Sequence, residues 1–279
     1  MGTMDHGIYY NLPEKTYHAI SDAVGQSTAQ GYLKSPAHAR VRRDFAGADF
    51  GSAAHSLILP HSKEASEGQV QVCILPDLDL RFKAGKETKA AIVEANPGKI
   101  ILTHEEGQTL EAMKAAVYGH KTASELFERV TATEVTIIFP FGGVKCKARL
   151  DAITSDDIIL DLKTTKDASF EGFGKSVANF GYAGQCAMYC EAFEWAFKRK
   201  PKKFVFIPVE KEPPFGVACY QLDKEAQTHG RKRILKALEI YALCKQYDSY
   251  PCYPDSLQTL KLPSWALKSP EIIGDATEW

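Results

Sequence analysis

The chain has 279 residues, 44% of them hydrophobic and 25% charged, with 34 basic and 35 acidic side chains for a formal net charge of −1. Such a composition excludes a disordered or fibrous protein, and the length suffices for a sizeable core in one or two domains. The near-neutral balance weighs mildly against a nucleic-acid partner, although an enzyme that encloses DNA can hold positive charge in a channel and negative charge outside.

Seven scattered cysteines, an odd number, read as reduced thiols of a cytosolic protein. No apolar run approaches the roughly 18 residues of a membrane span, so no membrane is expected. The N-terminus has no basic segment followed by an apolar one, which argues against secretion.

In chain order, residues 1–50 read as short helices. Pro13 suits the first turn of one, and Ser27 is a good N-cap for another that ends before Ser35-Pro36. An apolar stretch, Ala53 to Leu59, stops at Pro60, and His61 to Gly68 is polar and loop-like. Val70–Leu75 and Ile100–Thr103 are β-rich. Helical periodicity fills 105–129 in two pieces broken near Gly119. Val130 to Phe139 then alternates as a strand does, Phe141-Gly142-Gly143 signals a hairpin turn, and Val144 to Ile153 is the returning strand. After a turn at Ser155-Asp156-Asp157, a third strand runs from Ile158 through Lys163. Helices follow at about 168–177 and 181–198, strands at Phe204–Val209 and Val217–Leu222, and a closing helix at Lys224–Tyr247. The tail, 248–279, is rich in Pro and aromatics and reads as an extended arm. The whole is expected to be a single α/β domain, 1–279. A mixed central sheet is flanked by helices, with a helical N-terminal elaboration over 1–69 and a catalytic core over 130–222.

The most informative segment is Arg149-Leu-Asp-Ala-Ile-Thr-Ser-Asp-Asp-Ile-Ile-Leu-Asp-Leu-Lys163. A turn at 155–157 brings Asp151 and Asp161 side by side on neighbouring strands. Lys163, two residues after Asp161, shares its face, and Leu162 points to the other. A bare Asp-x-Lys is more often a cross-strand ion pair than a site. Two carboxylates and an ammonium on one sheet face after an apolar run, however, are costly without a partner. A divalent cation resolves the conflict, because carboxylates are hard oxygen ligands for magnesium. Lys163 would then orient or deprotonate the attacking water. Lys147 and Arg149, alternating beside Asp151, are candidates to grip a phosphate, with Ser27 a further one. Arg40, Arg42 and Arg43 could form a solvated helix face or contact a phosphate backbone.

Asp151 followed by Asp161-Leu-Lys163 resembles the PD-(D/E)xK nuclease core, with leucine where the family name has proline before the first aspartate. Gln185-Cys-Ala-Met-Tyr189 is similar to the Q-x-x-x-Y motif of the RecE-like and lambda-exonuclease-like branch. Gly7-Ile-Tyr-Tyr-Asn-Leu-Pro-Glu-Lys-Thr-Tyr17-His, Ser35-Pro-Ala-His38, Gly51-Ser-Ala-Ala-His55, Tyr253-Pro and Leu262-Pro-Ser-Trp265 resemble the same group. The resemblance implies a magnesium-dependent exonuclease, with manganese able to substitute, that digests double-stranded DNA from its ends, 5′ to 3′. It implies a ring-shaped homo-oligomer, trimer or tetramer, that leaves 3′ single strands for a RecT-type annealing partner during recombination. It implies a bacterial cytoplasmic location and a prophage origin. Carried onto this chain, the metal ligands are His55, Asp151, Asp161 and the Leu162 carbonyl. Lys163 serves the water, Glu134 supports the site, and Gln185 and Tyr189 position it from the next helix. Two alternatives remain open: an endonuclease of the same fold, and a catalytically silent DNA-binding module. A small-molecule enzyme would need a phosphate loop, and the glycines here form none.

Overall fold

The computed structural model describes residues 4–10, 12–41, 48–60 and 71–267. A short strand, β1 (Gly7–Tyr9), precedes four helices, α1 (Glu14–Ala19), α2 (Gln26–Lys34), α3 (Pro36–Arg40) and α4 (Ala48–Ile58). β2 (Val72–Ile74) and β3 (Ile100–Leu102) pair in parallel and bracket α5 (Lys83–Ala95). Next come α6 (His104–Gly119) and α7 (Lys121–Phe127), then a meander of β4 (Val130–Phe141), β5 (Val144–Thr154) and β6 (Ile158–Thr165). α8 (Phe170–Phe180) and α9 (Tyr182–Phe197) cross over to β7 (Lys203–Glu210), and α10 (Lys224–Tyr247) follows.

The main sheet runs β1-β4-β5-β6-β7. The first four strands pair antiparallel and β7 joins β6 in parallel, which is why a pair of helices must carry the chain across. Gly142 and Gly143 make the β4–β5 turn at φ of 59° and 75°, the left-handed conformation a tight hairpin turn demands. On one face of the sheet Val135, Ile137, Phe139, Leu150, Ile159 and Phe206 pack against α9 and α10. On the other, Ala152, Ile158, Leu160, Leu162 and Ile207 pack against α4, α6 and α7. Local chemistry marks the helix starts: Thr103 and Glu106 form a reciprocal capping box on α6, Ser169 caps α8 and Asp223 caps α10.

The mixed sheet with flanking helices is the expected architecture, and the structure corrects four details. Residues 7–9 are not helical: they add β1 to the outer edge of β4, Ile8 opposite Ile137. Val217–Leu222 is not a strand. Two isolated bridges, Val209 to Val217 and Phe206 to Tyr220, and the bond from the Ala218 N–H to the Pro208 carbonyl tie it to β7 without forming a continuous ladder. Ser27 is not an N-cap, because α2 starts one residue before it, with Gly25 at the cap position. α5 has no counterpart in the sequence reading. The polar segment His61–Gly68, Arg42 and Arg43, the Trp265 side chain and residues 268–279 lie outside the described residues. The arm touches α3 through Ala37, whose N–H donates to the Pro251 carbonyl, and through Arg40, stacked 4.4 Å over the Tyr250 ring centroid. Beyond that it is exposed to residue 264. Among the described residues no helix is long and apolar enough to cross a membrane.

The α9–α10 seam depends on a residue without a side chain. A Cβ at Gly230 would come within 2.2 Å of the Ala183 carbonyl oxygen, whereas one at Gly119 meets nothing within 4 Å. Gly230→Ala is therefore expected to cost about 1–3 kcal/mol by overpacking and to lower Tm by several degrees in a thermal melt. Gly119→Ala should leave Tm unchanged or raise it slightly, and equal effects of the two would refute this account of the seam.

Candidate active site

The site forms where β5 and β6 part. Their register runs through Ile153 opposite Ile159 and Ala152 opposite Leu160, so one further step sets Asp151 across from Asp161. Pairing stops there, and the Leu162 N–H instead donates to Asp151 Oδ2 at 2.8 Å. On the other side of β5, Glu134 comes opposite Asp151, between the pairs Thr133–Ala152 and Val135–Leu150. Glu134 has a φ of 54°. Its neighbours Ala132 and Val135, three apart, contact the same core, which a regular strand would forbid. The break in alternation frees the Glu134 carboxylate to join the site. A glutamate in this region of backbone space is uncommon, and such strain tends to occur at functional positions.

α4 delivers His55 from the opposite direction. Its Nε2 lies 2.9 Å from the Leu162 carbonyl and 3.6 Å from Asp151 Oδ2. Since a carbonyl only accepts, Nε2 carries the hydrogen in this arrangement. One ligand atom from each of His55, Glu134 and Asp151 lies within 4.8 Å of the other two.

Asp161 is fully buried. Its Oδ1 accepts from Gln185 Nε2 at 2.8 Å, and Oδ2 pairs with Lys163 Nζ. Tyr189 lies one turn beyond Gln185 on α9, and both are buried. Burial lifts the Asp161 carboxyl to about 6 and raises Asp151 as well. Burial alone would pull the Lys163 ammonium down, but Asp161 and Asp151 outweigh it and leave Lys163 above its usual value. His55 behaves likewise: Asp151, then Glu134, overcome the desolvation and raise it. Carboxylates held at a desolvation cost, with an imidazole among them, form a donor set that suits a divalent cation.

The structure thus gathers His55, Glu134, Asp151, Asp161, Leu162, Lys163, Gln185 and Tyr189. Glu134 lies with His55 and Asp151 among the clustered ligand atoms, while Asp161 faces Gln185 and Lys163. Arg149 donates to Glu134 and, at 2.7 Å, to the Leu12 carbonyl, so it braces Glu134. Lys147 is corrected as a phosphate candidate. Its amine is spent on the carbonyls of Tyr17 and Ile20, at 2.8 and 2.7 Å, and it staples the chain after α1 to β5. Ser27 is exposed at the start of α2, next to Gln26, which reaches the carbonyl of Gly181 at 3.2 Å. Sequence reasoning missed Tyr182, whose ring centroid lies 5.0 Å beneath Lys163 Nζ. Its position, three residues before Gln185 on the same helix face, was the available signal.

Residues 26–263 match the family described as a PDDEXK-like domain of unknown function (DUF3799). No curated protein matches the sequence. Among solved structures, a protein of Eubacterium rectale provisionally described as an exonuclease is similar in fold, with a TM-score of 0.59 and 12% identity over 94% of this chain and all of its own. Another, SSO0001, aligns over 72% of this chain and 87% of its own with 17% identity, but its TM-score of 0.27 is too low to carry an argument.

The raised carboxyls give a pH signature. A carboxyl whose folded value exceeds its unfolded one stabilises the fold while protonated. For Asp161 that contribution is complete below about pH 4 and is lost as pH rises through about 6. His55, raised above its unfolded value, also loses its contribution with rising pH. A metal must displace these protons, so its affinity should fall roughly tenfold per pH unit below 6 for each proton displaced. The Tm gain from added Mg2+ or Mn2+ should be several degrees at pH 7.5 and far smaller at pH 5.5. An equal gain at both would refute metal binding by these carboxyls.

Proposed function

This chain belongs to the PDDEXK-like family, and we propose that it is a divalent-metal-dependent nuclease: a magnesium-dependent exonuclease that hydrolyses double-stranded DNA from its ends, 5′ to 3′. The observation that carries the reading is the convergence of His55, Glu134 and Asp151 beside the buried Asp161–Lys163 pair, held by Gln185 from α9. Ring assembly and delivery of 3′ single strands to a RecT-type annealing protein in a bacterial, prophage-derived system belong to the same reading and rest on the resemblance of the motifs.

His55, Glu134 and Asp151 would hold the cation, with Asp161 and the Leu162 carbonyl completing the donor set. When bound, a divalent cation supplies Lewis acidity that activates water and offsets negative charge on the phosphoryl group. The protein's own residues do the rest. Without a cation Asp161 and Asp151 hold the Lys163 ammonium above its usual value; beside a bound cation Lys163 would orient the attacking water or take its proton, and meet charge on the phosphate. Gln185 fixes the Asp161 carboxylate through Oδ1, and Tyr189 follows one turn later on the same helix face. Arg149 fixes Glu134. The water oxygen forms the new P–O bond as the bond to the leaving oxygen breaks; the water gives up one proton, to Lys163 or to solvent, and the leaving oxygen takes one up from solvent, so no net proton is consumed in the bond exchange.

Asp151→Asn and Lys163→Ala should each cut the rate on linear duplex DNA by about 100-fold or more; wild-type rates would refute the assignment. A wild-type enzyme that digests linear but not circular duplex supports end dependence, and cleavage of circles favours the endonuclease. Inactivity with every divalent cation favours a silent binding module. Duplexes labelled at one 5′ end report the polarity.

Gln185→Leu keeps the helix and most of the volume but removes the donor to Asp161. It should lower kcat by about 10- to 100-fold, the range for loss of a group that orients a ligand, with KM little changed. An unaltered kcat would mean that Gln185 only fills space.

A further inference from the structure

Phe180 ends α8 and is 60% exposed. The ring centroid lies 5.6 Å from that of Tyr182 at an interplanar angle of 33°, and Lys163 Nζ sits 5.0 Å from the Tyr182 centroid. An open aromatic face is therefore one side chain away from the ammonium of the candidate centre. Tyr182 itself is committed to the interior, stacked at 5.9 Å on Phe206 and 6.1 Å from Phe173. Of the described rings in contact with Tyr182, Phe180 is the exposed one; Phe170, also exposed, reaches the cluster through Tyr220 at the other end of α8.

The corner is held still. Gly181 separates Phe180 from Tyr182 at a φ of 70° and caps α8. Its carbonyl accepts from Gln26 of α2, and the Gln30 side chain lies so close that a Cβ would come within 2.6 Å of it. Phe180 is thus presented by three helices meeting at one point, not by a loop tip. An exposed apolar ring one side chain away from an ammonium is complementary to a nucleobase attached to a phosphate.

We propose that Phe180 stacks on the nucleobase next to the scissile phosphodiester, so that the strand being cut reaches the centre with that base out of its own stack. The proposal rests on the nuclease reading. Inside a duplex both faces of a base are covered by neighbours and at an end one face is open, so a base lying on Phe180 is terminal or has left a neighbour. Stacking on an aromatic ring is sequence-tolerant, because every base has a π-face. It gives an end-directed enzyme a grip on a frayed terminus without reading sequence.

The test uses the full chain, 5 mM calcium in place of magnesium, and a 12-nucleotide single strand carrying 2-aminopurine. Quenching of 2-aminopurine fluorescence on titration, lost in Phe180→Ala together with a roughly 10-fold weaker Kd and restored in Phe180→Trp, is the expected result. In magnesium, Phe180→Ala should raise KM for duplex DNA more than it lowers kcat. Unchanged quenching and affinity in Phe180→Ala, in a protein with wild-type Tm, would overturn the proposal. So would a change in assembly mass by light scattering, which would make this face a contact between copies of the chain. If the wild-type protein quenches but cleaves nothing with any divalent cation, stacking stands and the nuclease reading falls. If it cleaves and Phe180→Ala matches it in KM, the reverse holds.

Discussion

Two carboxylates and an ammonium enclosed at the middle of a five-stranded sheet are the condition around which this protein is arranged. Each charge loses hydration on burial, and mutual attraction offsets that loss only when every remaining lone pair and proton finds a partner. Asp161 has no water-facing atom, and Gln185 and Lys163 take one oxygen each. Asp151 turns to a backbone N–H and to an imidazole. Even so the carboxyls sit above their ordinary values, a measure of how incompletely the protein alone satisfies them. The deficit is what a cation would fill.

Several features of the fold follow from that condition. β5 and β6 separate at the level of Asp151 because the carboxylate takes the hydrogen bond that a strand would have made. β4 breaks its alternation at Glu134 to bring a third carboxylate to the same place. α4 is tied to the sheet through His55 and the Leu162 carbonyl, and to α1 through the hydrogen bond of Ser52 to Glu14. α9 is tied to the sheet through Gln185. Helices on opposite faces of the sheet therefore meet chemically at one strand, β6, whose odd positions face one core and even positions the other.

The central hairpin was legible because its signals are local. Alternation, paired glycines and a short acidic turn define β4, β5 and β6 to within a residue or two, and they fix which side chains share a face. Long amphipathic helices with caps, above all α10, were equally plain. What failed depends on partners far along the chain. β1 is a strand only because β4, 130 residues away, offers it an edge. Lys147 looks like a free cation beside the site until the carbonyls of Tyr17 and Ile20 close on its amine. Val217–Leu222 carries β-type residues but forms no continuous ladder with β7. α5 buries no residue and contributes to neither of the two large cores. The clustering of Glu134 with His55 and Asp151 hangs on a single positive φ, which no residue pattern announces.

That backbone angle at Glu134 also limits how the protein can change over generations. Glycine at 134 would relax the chain but remove the carboxylate. Aspartate or asparagine would tolerate the left-handed conformation better than glutamate, but with a shorter reach. Selection for a more robust fold and selection for a working centre therefore pull this one position in opposite directions. A lineage that lost the need for the centre would be free to let residue 134 drift toward glycine, and the drift would make its fold steadier.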